Sequence, residues 1–326
     1  MTSQRRTDFY AFGGLTFSVR AAPAIADALQ GRFRLLACPP SDSCDFRFDF
    51  EIVAGPEEHK IHRPPGKIRP FYETFRGEAL YAISEDQLYM NCGDSVRVVC
   101  NPRAGDVLVS IAQPEGQNLW LASHALFTMP WLELLRRRGF YSLHAAGFRM
   151  SGKALLFPGS SGSGKSTLSI ALLRAGMEFL GDDTLFLTRT GSDLRVLGFS
   201  DEIDVTEETI GLFPELGHLL ESSLDPGWPK RPIRSEEVYL QMPLQECSPG
   251  VLIFPRVAQV EDSVLCSITK EEAFMELAPN VMLTEIATCK AHFDVLSELV
   301  KESPCYRMET GRDFAAIPKL LEDCCS

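Results

Sequence analysis

The chain is short of positive charge. Lysine and arginine number 32 against 44 aspartates and glutamates, a formal net charge of −12. Nucleic acid and anionic membrane are both polyanions, so this balance argues against either as the main partner. The ten cysteines include no C-x-x-C pair, and none stands at zinc-type spacing with a histidine. They read as reduced thiols of a cytoplasmic protein, small and buried, with Cys266 and Cys289 in apolar surroundings. The N-terminus, Met1-Thr2-Ser3-Gln4-Arg5-Arg6, lacks the apolar core of a secretory signal. The longest apolar stretch, Leu119 to Leu135, is interrupted by Ser123, His124, Pro130 and Glu133, too short and too broken to span a bilayer. Internal repeats and low-complexity segments are missing as well.

What is present is an ordinary core-forming composition, 45% hydrophobic and 23% charged over 326 residues, enough for one large or two ordinary domains. Residues 1–118 read as a β-rich lobe. Phe46 to Val53 alternates apolar with charged, the mark of a half-exposed strand, and turn residues separate further strands at Ala79–Ile83, Gln87–Met90, Ser95–Val99 and Val107–Ile111. The pattern predicts an antiparallel meander, with one helix starting at Pro23 and a loop over His62-Arg63-Pro64-Pro65-Gly66. Residues 119–139 form a connecting helix bent near Pro130. Its Arg136-Arg137-Arg138 end suits the helix dipole. From residue 140 to 326 strands alternate with helices. Phe140–Met150 and Ala154–Phe157 read as a hairpin, Glu178–Gly181 as a strand, Gly250–Pro255 as a buried strand stopped by proline, and 222–235 as a Pro/Gly-rich loop.

The stretch around which this second region is organised is Gly159-Ser160-Ser161-Gly162-Ser163-Gly164-Lys165-Ser166-Thr167. It satisfies G-x-x-x-x-G-K-[ST] at every required position, between an apolar strand and a helix that Gly176 ends. Glycines allow backbone N–H groups to turn inward around an anion, and the helix N-terminus adds roughly half a positive charge there. Lys165 would reach the outer phosphates and Ser166 would ligate Mg²⁺. Asp182-Asp183 follows after one helix and one strand. Alone the pair reads as a turn. Behind a phosphate loop, at the end of a parallel neighbouring strand, it reads as two carboxylates on the ligand-binding edge.

Leu143-His144-Ala145-Ala146, Leu156 to Ser166 and Phe179-Leu180-Gly181-Asp182-Asp183 together resemble the HPr kinase/phosphorylase family, most closely the HPr-kinase-related serine kinases. The resemblance covers about 140–326. It implies an α/β P-loop kinase core like the HPr kinase C-terminal domain, a mixed sheet with flanking helices, beside an N-terminal mainly β lobe. It further implies a kinase using ATP and Mg²⁺ on a hydroxyl acceptor: serine of a protein or peptide, or a small molecule. His144 would orient Asp182 as general base, with Asp183, Ser166 and Lys165 around Mg-ATP. The chain departs from the family at Thr167, where those kinases carry a metal-contacting Glu, and lacks their glycine-rich phosphorolytic signature around Leu216–Leu224. Lys230, Arg231 and Arg234 either close over phosphates or acceptor or belong to a solvated loop. No N-K-x-D or L-S-G-G-Q motif is present, against a GTPase or transporter ATPase. An ATP-hydrolysing switch stays open, as does a homo-oligomer.

Overall fold

The computed structural model describes residues 5–64, 69–70, 72–73, 78–84, 87–113, 115–199, 202–222, 224, 228–281 and 286–325. Pro65-Gly66, parts of the expected 222–235 loop and residues 282–285 lie outside them. It is a mixed α/β molecule. Apart from two short stretches, it divides into a compact unit running to Arg138 and a second beginning at Gly139. Among the described residues no helix is long and apolar enough to cross a membrane.

The first unit is built on one sheet: β1 (Arg6–Phe12), β2 (Leu15–Ala21), β3 (Phe46–Val53), β4 (Tyr72–Glu73), β5 (Glu78–Ser84), β6 (Gln87–Cys92), β7 (Val96–Asn101) and β8 (Asp106–Ala112), in the order β1-β2-β3-β8-β7-β6-β5-β4. It is not an antiparallel meander throughout, because β3 runs parallel to both β2 and β8. For β2 and β3 the reason is α1 (Pro23–Arg32), a crossover that returns the chain in the same direction. Alternation along β3 buries Phe46, Phe48 and Phe50 on one face and leaves Arg47 and Asp49 on the other, paired with Asp106 and Arg5. On the buried face, Phe17 packs 4.5 Å from Trp131 and Phe48 packs 4.3 Å from Phe127, centroid to centroid. Rings of this size dominate the apolar burial that holds such a unit together.

The apolar 119–139 stretch is two helices, α2 (Gln117–Ser123) and α3 (Ala125–Arg136). The break falls at His124, whose φ is −113° and ψ −91°, and Pro130 sits inside α3 without ending it. The basic triplet is partly internal. Glu133 is fully buried and takes Arg136 at 2.9 Å and Arg137 at 3.1 Å, while the Arg138 guanidinium lies over the Phe46 ring.

His124 stacks on Trp120 with ring centroids 4.8 Å apart, and its Nδ1 lies 3.0 Å from the Trp120 carbonyl. Burial, helped by the charge of Arg32, pushes this imidazole down to about 3. The unfolded chain, with an ordinary histidine near 6.5, therefore binds the proton first. The stability that His124 contributes is complete above pH 6.5 and is lost as the pH falls toward 3, at most about 1.4 kcal/mol per pH unit for one proton. Urea midpoints at pH 7, 5.5 and 4 should fall more steeply for the wild type than for His124→Gln. Parallel curves would remove His124 as the cause.

The second unit holds β9 (Tyr141–Leu143), β10 (Ala145–Met150), β11 (Lys153–Pro158), α4 (Lys165–Arg174), β12 (Glu178–Gly181), β13 (Leu185–Thr190), β14 (Asp193–Gly198), β15 (Glu202–Val205), α5 (Glu207–Leu212), β16 (Arg231–Arg234), α6 (Ser235–Tyr239), β17 (Glu246–Val257), β18 (Val264–Ser267), α7 (Lys270–Leu277), α8 (Ile286–Glu302), β19 (Cys305–Thr310) and α9 (Ile317–Cys325). Nine of these strands form a mixed sheet in the order β12-β10-β11-β17-β14-β13-β9, with β19 also on β17 and β18 on β19. Residues of β11 alternate between two cores. Leu155 and Phe157 pack with Leu168 and Leu172 of α4, and Ala154 and Leu156 with Leu277 of α7 and Leu296 of α8.

Three expectations change here. The expected strand Phe140–Met150 divides at His144, where the chain leaves its pairing with β13 and takes up pairing with β11. Strand β17 runs on through Pro255 to Val257. Residues 231–234 are a strand paired with β15, not a loop. Cys100, Cys247 and Cys305 are buried, but Cys266 is exposed on β18 and Cys289 is only partly covered.

Candidate active site

Strand β10 is antiparallel to β11, with Ala145 opposite Pro158, so His144 sits beside the start of the Gly159–Gly164 loop. Strand β12 is not the neighbour of β11. It pairs antiparallel with β10, and so points the same way as β11 from one strand further out. The start of β10, the end of β11 and the end of β12 thus reach a single sheet edge. That edge gathers His144, the glycine-rich loop and Asp182-Asp183.

The loop turns through Gly162 at φ +84° and enters α4 at Gly164, φ +95°, left-handed backbone that side-chain-bearing residues rarely adopt. Lys165 is buried and folds back over the loop. Its ammonium donates to the Gly159 and Ser160 carbonyls and, at 3.0 Å, to His144 Nε2. An imidazole that accepts at Nε2 carries its proton on Nδ1, and Nδ1 lies 2.8 Å from the Asp183 carbonyl oxygen and 3.2 Å from Asp183 Oδ1. The His144 backbone is held from both sides, its N–H donating to Asn280 O and its carbonyl accepting from Gly159 N.

The expected pairing of His144 with Asp182 is not met, and the two aspartates part company. Asp182 turns inward, buried, and accepts from Ser166 Oγ at 2.9 Å and from Ser169 Oγ at 3.3 Å. Those serines are three residues apart on α4 and share a face. Asp183 turns outward, with its side chain 71% exposed beside His144. The cause is local: just past the end of β12, Asp183 adopts φ +67° in a turn closed by Thr184 N on Asp182 O.

Burial pushes the Asp182 carboxyl up, and the neighbouring Asp183 charge adds to the rise, while the Ser166 hydroxyl, Lys165 and His144 oppose it. Burial also lowers the Lys165 ammonium; Asp182 and Asp183 hold it up, and Lys230 pushes further down. The buried Asp182 carboxylate is bonded to hydroxyls and the buried Lys165 ammonium to neutral acceptors, neither in a direct ion pair among the described residues, which is costly in a low-dielectric site. The Ser163 hydroxyl inside the loop is buried with no hydrogen-bond partner among the described residues. These groups fit an incoming polyanion and a divalent cation. Among the described residues no cluster of three or more His, Cys, Asp or Glu could hold a metal.

Thr167, at the position where the resemblance leads one to look for Glu, is bonded to Thr209 of α5 at 2.9 Å. Arg231 is buried and takes Glu207 at 3.1 Å, and Arg234 takes Glu202 and Glu237. Lys230, half-buried, has no ion pair among the described residues and lies over the Trp228 ring. Sequence reasoning missed Ser169, whose only signal was its spacing from Ser166. It also missed Asp204 of β15, which carries no local signal.

No family model matches the chain, and no curated protein matches it. Among solved structures, the HPr(Ser) kinase/phosphatase from Coxiella burnetii is similar at 13% identity over 56% of this chain and 94% of that one, with a TM-score of 0.33. A likeness of that size carries no weight, and what the site can do rests on its own side chains.

Proposed function

We propose that this chain is an ATP-dependent phosphotransferase that moves a γ-phosphoryl group onto a hydroxyl, most plainly serine of a protein or peptide. The observation that carries this reading is the division of two consecutive carboxylates: Asp182 on Ser166 Oγ at 2.9 Å and Asp183 beside His144 Nδ1 at 3.2 Å. Phosphoryl transfer asks for neutralised charge and in-line placement, and one carboxylate serves each need.

The roles expected for the two aspartates are then exchanged. Ser166 and Asp182 would hold Mg²⁺, which would supply neutralisation of phosphate charge. Loop N–H groups and Ser163 Oγ take the phosphates. Lys165 leaves the loop carbonyls for a phosphate oxygen. His144, donating from Nδ1, orients Asp183. Asp183 accepts the hydroxyl proton as the acceptor oxygen bonds to phosphorus and the bond to the ADP oxygen breaks.

The test is incubation of the full chain with γ-labelled ATP, Mg²⁺ and hydroxyl-bearing peptides. Label should appear on a serine and fall by about 10²-fold or more in Lys165→Ala. Release of inorganic phosphate with no labelled acceptor would instead favour a hydrolytic switch.

A further inference from the structure

Of the three cations Lys230, Arg231 and Arg234, Lys230 alone makes no ion pair among the described residues. Its ammonium stands 5.5 Å from the centroid of the Trp228 indole. The indole in turn is anchored, its Nε1–H donating to Asp204 Oδ2 at 3.2 Å. Three residues from two segments thus form a chain: a partly buried carboxylate, an indole fixed by it and a cation resting on the indole face. The chain lies beside the proposed reaction centre: β15, which carries Asp204, packs on α4 behind the glycine-rich loop and pairs with β16, which Lys230 directly precedes, and the Lys230 charge lowers the Lys165 ammonium further. Burial pushes Asp204 up to about 6, with Lys230 and the indole N–H opposing the rise.

A cation on an indole face is held weakly. A phosphate oxygen offers it a charge-assisted hydrogen bond, which is stronger. Arg231 and Arg234 could not make the same exchange without abandoning Glu207, Glu202 and Glu237. Lys230 gives up no ion pair with any described residue.

We propose that Trp228 and Lys230 form a phosphate-responsive arm, in which Lys230 leaves the indole for the terminal phosphate of a bound triphosphate, and Asp204 is the positioning residue that fixes the indole through Nε1. The proposal rests on the phosphotransferase reading for its ligand, a nucleoside triphosphate, but assigns residues that reading does not use. Trp228 becomes a built-in reporter, because an ammonium stacked on an indole quenches its emission and its departure relieves the quenching.

The full chain is titrated with Mg-ATP and, separately, with Mg²⁺ and inorganic tripolyphosphate, followed by tryptophan emission and by calorimetry. A saturable rise in emission is expected with both ligands. It should vanish in Trp228→Phe, which leaves Trp120 and Trp131 as background. Lys230→Ala should abolish the change and weaken binding by about 10–100-fold. Asp204→Ala should blunt it, and Asp204→Asn, which still accepts the indole hydrogen bond, should restore it. Calorimetric binding with unchanged emission, or an Asp204→Ala protein that titrates like wild type, overturns the arm and leaves the phosphotransferase reading standing. Binding of neither ligand overturns both.

Discussion

Asp183→Asn is expected to lower phosphoryl transfer by about 10²–10⁴-fold, the usual worth of a positioned general base, while Mg-ATP binding stays close to wild type. The amide keeps the shape and can still accept from His144 Nδ1, but it cannot take a proton. Its side chain is largely exposed, so folding should be unaffected. Asp182→Asn should behave differently. That carboxylate is buried against Ser166 and Ser169, and its loss should appear first as weaker Mg²⁺-dependent nucleotide binding, read by calorimetry with and without the metal. The pair of variants separates the two carboxylates by which quantity moves, kcat or affinity. Should Asp183→Asn turn over at the wild-type rate, the division of labour drawn from His144 is wrong.

The largest effect on stability is expected in the first unit. Glu133 and Arg136 are both almost completely buried and lie 2.9 Å apart, with Arg137 at 3.1 Å on the other carboxylate oxygen. Glu133→Gln removes the charge and keeps the volume, so the desolvation of the Arg136 guanidinium loses this compensation. Breaking one side of such a pair costs about 3–5 kcal/mol. Urea denaturation followed by circular dichroism reads it directly. Glu178→Gln makes the useful contrast: its pair with Arg149 stands in solvent, and exposed pairs are worth about 0–1 kcal/mol. Equal losses in the two variants would mean that burial is not what sets the cost.

How much of this was legible beforehand depended on how locally each feature is encoded. The Gly159–Thr167 loop could be read because the backbone there dictates residue type at fixed offsets, glycine at the left-handed positions above all. Strand β12 and the acid pair behind it were readable for the same reason of short range. The sides the two aspartates take were not, since one backbone torsion at Asp183 decides them. Nor was the insertion of β10 between β11 and β12, because a largely apolar hexapeptide does not say which strand it will lie against. In the first unit the alternation of Phe46 to Val53 declared a strand but not that both its neighbours would be parallel. Pro130 drew attention as a helix breaker, while the break came one turn and a half earlier at His124, where nothing in the residue type announces it. Asp204 and Trp228 meet across segments 24 residues apart, a contact that no pattern within either segment encodes.

The β10–β11 hairpin has one more consequence. Its turn, Ser151-Gly152, with φ of +51° and +78°, closes the end opposite Ala145 and Pro158. Each strand spans six residues, which at about 3.3 Å per residue sets the turn roughly 20 Å from the glycine-rich loop. The same rigid ribbon that carries His144 into the chemistry therefore presents, at its far end, a natural attachment point. A fluorophore or tether fixed there would report on the ribbon while leaving the reacting groups alone.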